Sequence, residues 1–132
     1  MTPREQLDQG LVRLGLDLPV RTRETLIDYV ALLAKWNRTY NLTGIREPSA
    51  VVSNHLLDSL SILPYIKAAK VLDVGSGAGL PGLVVAIARP EVSVTLLDAN
   101  NKKAAFLQQA VANLALPNAR VVCTRVETWR PG

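Results

Sequence analysis

The sequence predicts an α/β protein in which an amino-terminal helical lead-in, residues 1–66, is followed by a parallel βαβαβ unit over residues 67–132. Three observations carry this expectation. In the first half, apolar residues recur at intervals of three and four, the period of a helix buried along one stripe. In the second half, three short apolar runs near Val71, Val92 and Ala119 are separated by stretches long enough for crossover helices. The first of those runs breaks at once into Gly75-Ser76-Gly77-Ala78-Gly79, a strand feeding a tight glycine-rich turn.

The elements follow in order. Thr2-Pro3-Arg4-Glu5 has a capping residue, a proline at the first helical position and a glutamate at the third, so a capping box starts a helix there. Leu7, Leu11 and Leu14 form its apolar stripe and Gly15 is a natural stop. A second helix follows Pro19, with Leu26, Ile27, Val30, Leu33 and Ala34 inward and Arg21, Arg23 and Lys35 outward, ending between Trp36 and Tyr40. Residues 36–44 are polar enough for a surface yet carry two large aromatics. A further helix opens at Pro48 and runs through Val51, Val52, His55, Leu56 and Ser59, and Pro64 stops the apolar segment after it.

Residues 71–74 then read as a buried parallel strand, residues 83–88 as a short helix closed by Arg89-Pro90, and residues 92–97 as the second strand. A helix over residues 102–115 places Ala105, Phe106, Gln109, Ala112 and Asn113 around one turn pattern, and residues 119–124 supply the third strand. Parallel neighbours of this kind are joined by right-handed crossovers.

Composition narrows the class. The chain has 132 residues, 48% of them hydrophobic, enough to bury a core. Its longest apolar runs fall far short of the roughly 20 residues of a membrane span, and Arg4, Glu5 and Asp8 stand where a signal peptide would be apolar. A single cysteine, Cys123, excludes an internal disulfide and a cysteine metal cluster; within Arg120-Val121-Val122-Cys123 it reads as a small buried side chain. These features imply a cytoplasmic protein with neither membrane nor metal partner. The net charge of +4 allows an anionic partner. Because residues 1–70 hold nine basic and seven acidic side chains and residues 71–132 hold six and four, any nucleic-acid site has to be assembled by folding.

The chemistry concentrates in the glycine turn. Glycines at 75, 77 and 79 permit positive φ and put no Cβ between backbone N–H groups and a ligand, which suits a nucleotide-like cofactor. The dinucleotide pattern Gly-x-Gly-x-x-Gly would put its third glycine at position 80, where this chain has Leu80. Asp98 closes the second strand nineteen residues past Gly79, the spacing of an acid that accepts hydrogen bonds from ribose hydroxyls. Aspartate is also a favoured helix cap, and the helix near Lys102 begins just beyond. His55, beside leucines on a helix, reads as a packed side chain. Asn41 and Asp58 suit local capping or RNA contact, Trp36 and Tyr40 suit base stacking or core packing, and Arg38, Arg46, Lys102 and Lys103 are candidates for phosphate contacts.

With Asp73 two residues before the first glycine, Asp-x-Gly-x-Gly-x-Gly resembles the first motif of Rossmann-like S-adenosylmethionine-dependent methyltransferases. Trp36-Asn37-x-x-Tyr40-Asn41-Leu42-Thr43, His55-x-x-Asp58-Ser59, residues 73–82 ending Gly79-Leu80-Pro81-Gly82, Leu96-Leu97-Asp98 and Lys102-Lys103 together closely resemble the bacterial ribosomal RNA small-subunit methyltransferase G family, also called glucose-inhibited division protein B. The resemblance implies methyl transfer from S-adenosyl-L-methionine to the N7 position of a guanine in 16S ribosomal RNA, with the RNA or the 30S subunit as partner. It carries cofactor contacts onto Gly75, Leu80, Val126 and Glu127, with Gly77 and Gly79 completing the turn and Asp98 as the ribose acceptor. No catalytic acid or base is implied.

Family members continue through further strands, one of which brings an arginine to the cofactor site. This sequence reads as the amino-terminal portion of such a fold, truncated after its third strand. It is then expected to associate through its open edge, to bind the cofactor weakly and not to methylate RNA by itself. Two other classes stay open on the residues: a NAD-dependent oxidoreductase, against which Leu80 argues, and a non-enzymatic RNA-binding or ribosome-assembly module, whose RNA affinity would not depend on the cofactor.

Overall fold

The computed structural model describes residues 1–40, 42, 48–75 and 77–130, and the side chains of all of these except 48, 49, 53 and 54. Asn41, Thr43, Arg46 and Ser76, singled out above, lie outside the described residues. The chain divides into two compact units, Met1–Lys67 and Ala68–Gly132. Among the described residues no helix is long and apolar enough to cross a membrane.

In the first unit, α1 (Pro3–Leu14) opens on the expected capping box. Thr2 Oγ1 accepts the Glu5 N–H at 3.1 Å, and Glu5 Oε1 accepts the Thr2 N–H at 3.0 Å. The helix closes on Gly15, left-handed at φ 69°. Leu7 and Leu11 are buried, but Leu14 is 37% exposed and Gly10 takes the inward place instead. A Cβ on Gly10 would stand 2.4 Å from Leu57 Cδ2, so the segment that carries Leu57 crosses α1 a turn before Leu14.

Helix α2 (Val20–Tyr40) buries Leu26, Tyr29, Val30, Leu33 and Asn37. Ile27 and Ala34, expected inward, are half-buried on its flank, because the inward line runs 26, 29/30, 33, 37 and two of its members are polar enough to disguise it. Arg23, expected outward, is partly buried and donates from Nη1 to Asp8 Oδ1 at 3.0 Å. The helix expected from Pro48 exists as α3 (Pro48–Val51), one π-helical turn (Val52–Leu56) and α4 (Leu57–Leu60). It buries Val51, Val52, Leu56 and Leu60. A single 3-10 turn, Leu63–Tyr65, carries Pro64.

In the second unit, β1 (Lys70–Val74), β2 (Ser93–Leu97) and β3 (Ala119–Val122) form a parallel sheet in the order β1-β2-β3. Lys70 pairs with Ser93 and Val74 with Leu97, while Val94 pairs with Ala119 and Leu97 with Val122. Helix α5 (Gly82–Ala88) packs on β2 and β1, and α6 (Asn101–Asn113) on β3. Every residue of α5 from Gly82 to Ile87 is buried, the signature of a helix apolar all round. At the amino end of the sheet, Asn118 Nδ2 donates to the carbonyls of Ala86 at 3.0 Å and Val92 at 2.9 Å, tying α5 to the start of β2.

Three expectations need correction here. Strand β1 is not buried: Leu72 is 42% and Val74 52% exposed, because among the described strands β1 pairs only with β2 and α5 covers only its Val71/Asp73 face. Helix α6 turns Ala104, Phe106, Leu107 and Ala110 inward, leaving Ala105, Gln109, Ala112 and Asn113 exposed. Alanine is at home on either face, so a pattern anchored on alanines slips by one residue. Cys123 is exposed, since β2 has no partner left to offer past Leu97 and the chain leaves the sheet at Val122.

Candidate functional site

The turn between β1 and α5 stands at the carboxyl edge of the parallel sheet, where open α/β sheets bind ligands. Gly75, Gly77 and Gly79 all take positive φ, at 71°, 53° and 88°. Gly75 continues the ladder, its N–H donating to the Leu97 carbonyl at 2.7 Å, and among the described residues beyond its chain neighbours no atom lies within 4 Å of where its Cβ would be. At Gly79 the space is already filled from the protein side: a Cβ there would meet Leu83 Cδ1 at 2.4 Å. The turn is thus pinned inward by Leu83 and open at Gly75. The Leu80–Pro81 peptide is cis, and Pro81 sits just before α5, its carbonyl accepting the Val85 N–H at 3.0 Å.

Two carboxylates hold this turn. Asp98, just past β2 and 8% exposed, accepts the Gly77 N–H on Oδ2 at 2.9 Å and the Asn100 N–H on Oδ1 at 2.8 Å. The cap of α6 is Asn100, not Asp98: its Oδ1 accepts from the N–H groups of Lys102 and Lys103, both at 3.0 Å. A carboxylate has about four lone-pair positions, so Asp98 can serve Gly77 and Asn100 and still receive hydroxyl donors. Asp73 on β1, the acid of the Asp-x-Gly-x-Gly-x-Gly motif, accepts the Gly82 N–H on Oδ2 at 2.9 Å. A Cβ on Gly82 would stand 2.4 Å from Leu96 Cδ2 and 2.5 Å from Asp73 Oδ2. The close helix-to-strand approach that a dinucleotide loop assigns to its third glycine is made here at Gly82. Its signal in the sequence was a glycine directly after proline at a helix start.

The other candidate residues are distributed as follows. Leu80 is half-buried at the end of the turn. Val126 and Glu127 lie in a 3-10 turn (Val126–Thr128) after β3, both exposed, on the same edge as the glycine turn but beyond the far strand. Lys103 Cδ is 3.7 Å from the place of a Gly77 Cβ, so its stem lies along the turn while Lys102 is exposed. Two cations in the first turn of α6 oppose the helix dipole, so helix stability does not explain them. In the helical unit, Trp36 and Tyr40 stand one turn apart at the end of α2 with ring centroids 5.4 Å apart, Tyr40 being 44% exposed. His55 is half-buried in the π-helical turn and Asp58 is exposed.

Residues of this architecture match the model of a known family over positions 22–131, described as GidB, rRNA small subunit methyltransferase G. The chain is 53% identical over 128 residues to the ribosomal RNA small subunit methyltransferase G of Methylobacillus flagellatus, covering 97% of this chain and 62% of that one. To the protein of the same name from Chromobacterium violaceum it is 54% identical over 127 residues, covering 96% and 61%. To that of Laribacter hongkongensis it is 52% identical over 131 residues, covering 99% and 63%.

Proposed function

We propose that this chain, which belongs to the ribosomal RNA small subunit methyltransferase G family and spans about 62% of the length of such relatives, binds S-adenosyl-L-methionine at the carboxyl edge of its sheet. The methyl acceptor of that site is the N7 of a guanine in small-subunit ribosomal RNA. The observation that carries the reading is the Asp98 carboxylate bonded to Gly77 N–H: one buried acid both shapes the glycine turn and offers acceptors for ribose hydroxyls. The open space at Gly75 fits a ligand lying against bare backbone, and Leu80, Val126 and Glu127 complete the cofactor contacts.

When bound, the sulfonium supplies an electrophilic methyl group. Guanine N7 carries a lone pair and no proton, so the protein needs no general base at the acceptor. Its residues orient and exclude water, a contribution of roughly 7–11 kcal/mol in well-aligned reactions. Lys103, whose stem lies along the turn, and the exposed Lys102 before it suit the phosphates flanking the target base. The experiment is calorimetric titration of the chain with S-adenosylhomocysteine and, separately, NAD, followed by methyl incorporation into small subunits that lack the N7 mark. Weak binding of the first ligand alone is the expected result, with label in the RNA from a chain extended to the length of the relatives and none from this chain by itself; preference for NAD would overturn the reading.

A further inference from the structure

We propose that Asp73 is a positioning residue for cofactor binding, acting through the Gly82 N–H and not by presenting its charge to the ligand. The inference rests on the reading of the glycine turn as a cofactor site. Gly75, Gly77 and Gly79, all at positive φ, lie between β1 and α5, and glycine leaves such a conformation readily once its anchors are lost. The turn's anchors stand at both ends. Asp98 holds the near side at Gly77, and Asp73 holds the far side by accepting the first N–H of α5 at 2.9 Å.

The far anchor is built into the packing. Asp73 and Leu96 are register partners on β1 and β2, and both meet the place where a Gly82 Cβ would be, at 2.5 and 2.4 Å. Gly82 therefore rests directly on this pair, and the Asp73 carboxylate lies under the helix N-terminus. There the N–H groups lack intrahelical partners and an anion is favoured. Asp73 is half-buried and Gly82 is buried, which keeps the bond from competing freely with water. A turn fixed this way presents its N–H groups before the ligand arrives, so binding does not have to order it.

The alternative for an acid before a glycine loop is direct contact of its charge with a cationic group of the ligand. Two substitutions separate the cases. Asp73→Asn keeps an oxygen able to accept the Gly82 N–H and removes the charge; Asp73→Ala removes both. With S-adenosylhomocysteine as probe, Asp73→Asn is expected to bind within about threefold of the unaltered chain and Asp73→Ala about ten- to a hundredfold more weakly, the loss of one hydrogen bond to a charged group. Amide hydrogen exchange at Gly82 is expected to stay slow in Asp73→Asn and to accelerate in Asp73→Ala. Equal weakening in both variants would mean that the charge acts on the ligand, and full affinity in Asp73→Ala would mean that the anchor is idle; either overturns the inference. Should Asp73→Ala not fold, Asp73→Asn decides alone: a tenfold loss of affinity, or a fast Gly82 amide with affinity intact, is equally fatal. If the unaltered chain binds no S-adenosylhomocysteine, the reading of the site fails, while Gly82 exchange still shows whether Asp73 fixes the turn.

Discussion

In the helical unit several polar side chains of the described residues bond close to home. Thr2 and Glu5 exchange bonds across one turn, Thr25 donates to the Arg21 carbonyl and Ser61 to that of Asp58. Arg23 with Asp8 reaches further, from α2 to α1. In the α/β unit, beside local bonds such as those from Lys102 and Lys103 to Asn100, a set of bonds crosses between segments: Asp98 to Gly77, Asp73 to Gly82, Asn118 to Ala86 and Val92, Arg120 to Thr95. The cause lies in the backbone. Helices satisfy their own N–H and C=O groups except at the ends, whereas turns between parallel strands and helices leave groups that a side chain from elsewhere must meet. The candidate site lies in such a turn, so the residues proposed for its chemistry also hold its fold.

The sharpest way to break this contrast is at Gly79. A valine there faces both a φ of 88° and Leu83 2.4 Å from its Cβ, costs of about 1–2 kcal/mol for the left-handed backbone and about 1–3 kcal/mol for overpacking. Gly79→Val is expected to lower the thermal midpoint and to abolish S-adenosylhomocysteine binding together. At Gly77 a Cβ meets, among the described residues beyond its chain neighbours, nothing closer than Lys103 Cδ at 3.7 Å, so Gly77→Val should cost less folding stability than Gly79→Val, with binding lost all the same. In the helical unit, Leu33→Ala empties a fully buried position at a cost of about 3 kcal/mol. Titrated well below its midpoint, that variant should bind the ligand within threefold of normal. A tenfold loss would mean that α2 takes part in the site, and the contrast would fall.

What the sequence disclosed follows the same division. Thr2-Pro3-Arg4-Glu5, Gly15 and the alternating glycines were legible because each is a local rule: a cap, a left-handed stop, a positive φ. The strands and their parallel order followed from apolar runs separated by crossover lengths. Features that depend on where another segment passes were not legible. Gly10 is buried because Leu57 covers it, and Cys123 is exposed because β2 ends its pairing at Leu97. The cap of α6 is Asn100 because Asp98 is engaged with Gly77. The Asp73–Gly82 bond joins two residues that a motif names separately. No residue type announces the π-helical turn at Val52–Leu56, since it is set by packing and not by propensity.

Asp98→Ala tests the shared residue directly. It leaves the N–H groups of Gly77 and Asn100 without their acceptor and removes the proposed ribose partner. Ligand affinity should fall by about 1.5–3 kcal/mol, the range for a hydrogen bond to a charged group. Because the same carboxylate orders Asn100, the first amides of α6 should also exchange faster. Weaker binding with α6 exchange unchanged would divide the two roles and make Asp98 a ligand contact only.

The smallest expected effect lies at the opposite end of the chain, where a polar pair has a local task alone. Thr2→Ala removes the cap of α1 and should cost about 1 kcal/mol of stability, with ligand affinity untouched. The other half of the box adds a pH signature. Glu5 titrates below its ordinary value of 4.5, chiefly because its carboxylate accepts the Thr2 backbone N–H and secondarily through the Thr2 side chain. A carboxyl group whose folded pKa is depressed stabilises the fold above its unfolded value, and that contribution fades as pH falls through the lower folded value. The midpoint difference between the unaltered chain and Glu5→Gln should therefore be present at neutral pH and shrink toward zero as the pH falls below the ordinary carboxylate value of 4.5. Since the group is fully exposed, salt should reduce the same difference. A difference that instead grew in acid, or a Glu5→Gln chain with altered affinity for S-adenosylhomocysteine, would show that the helical unit's polar bonds are not local in effect, and that the two units do not differ in the way their hydrogen bonds suggest.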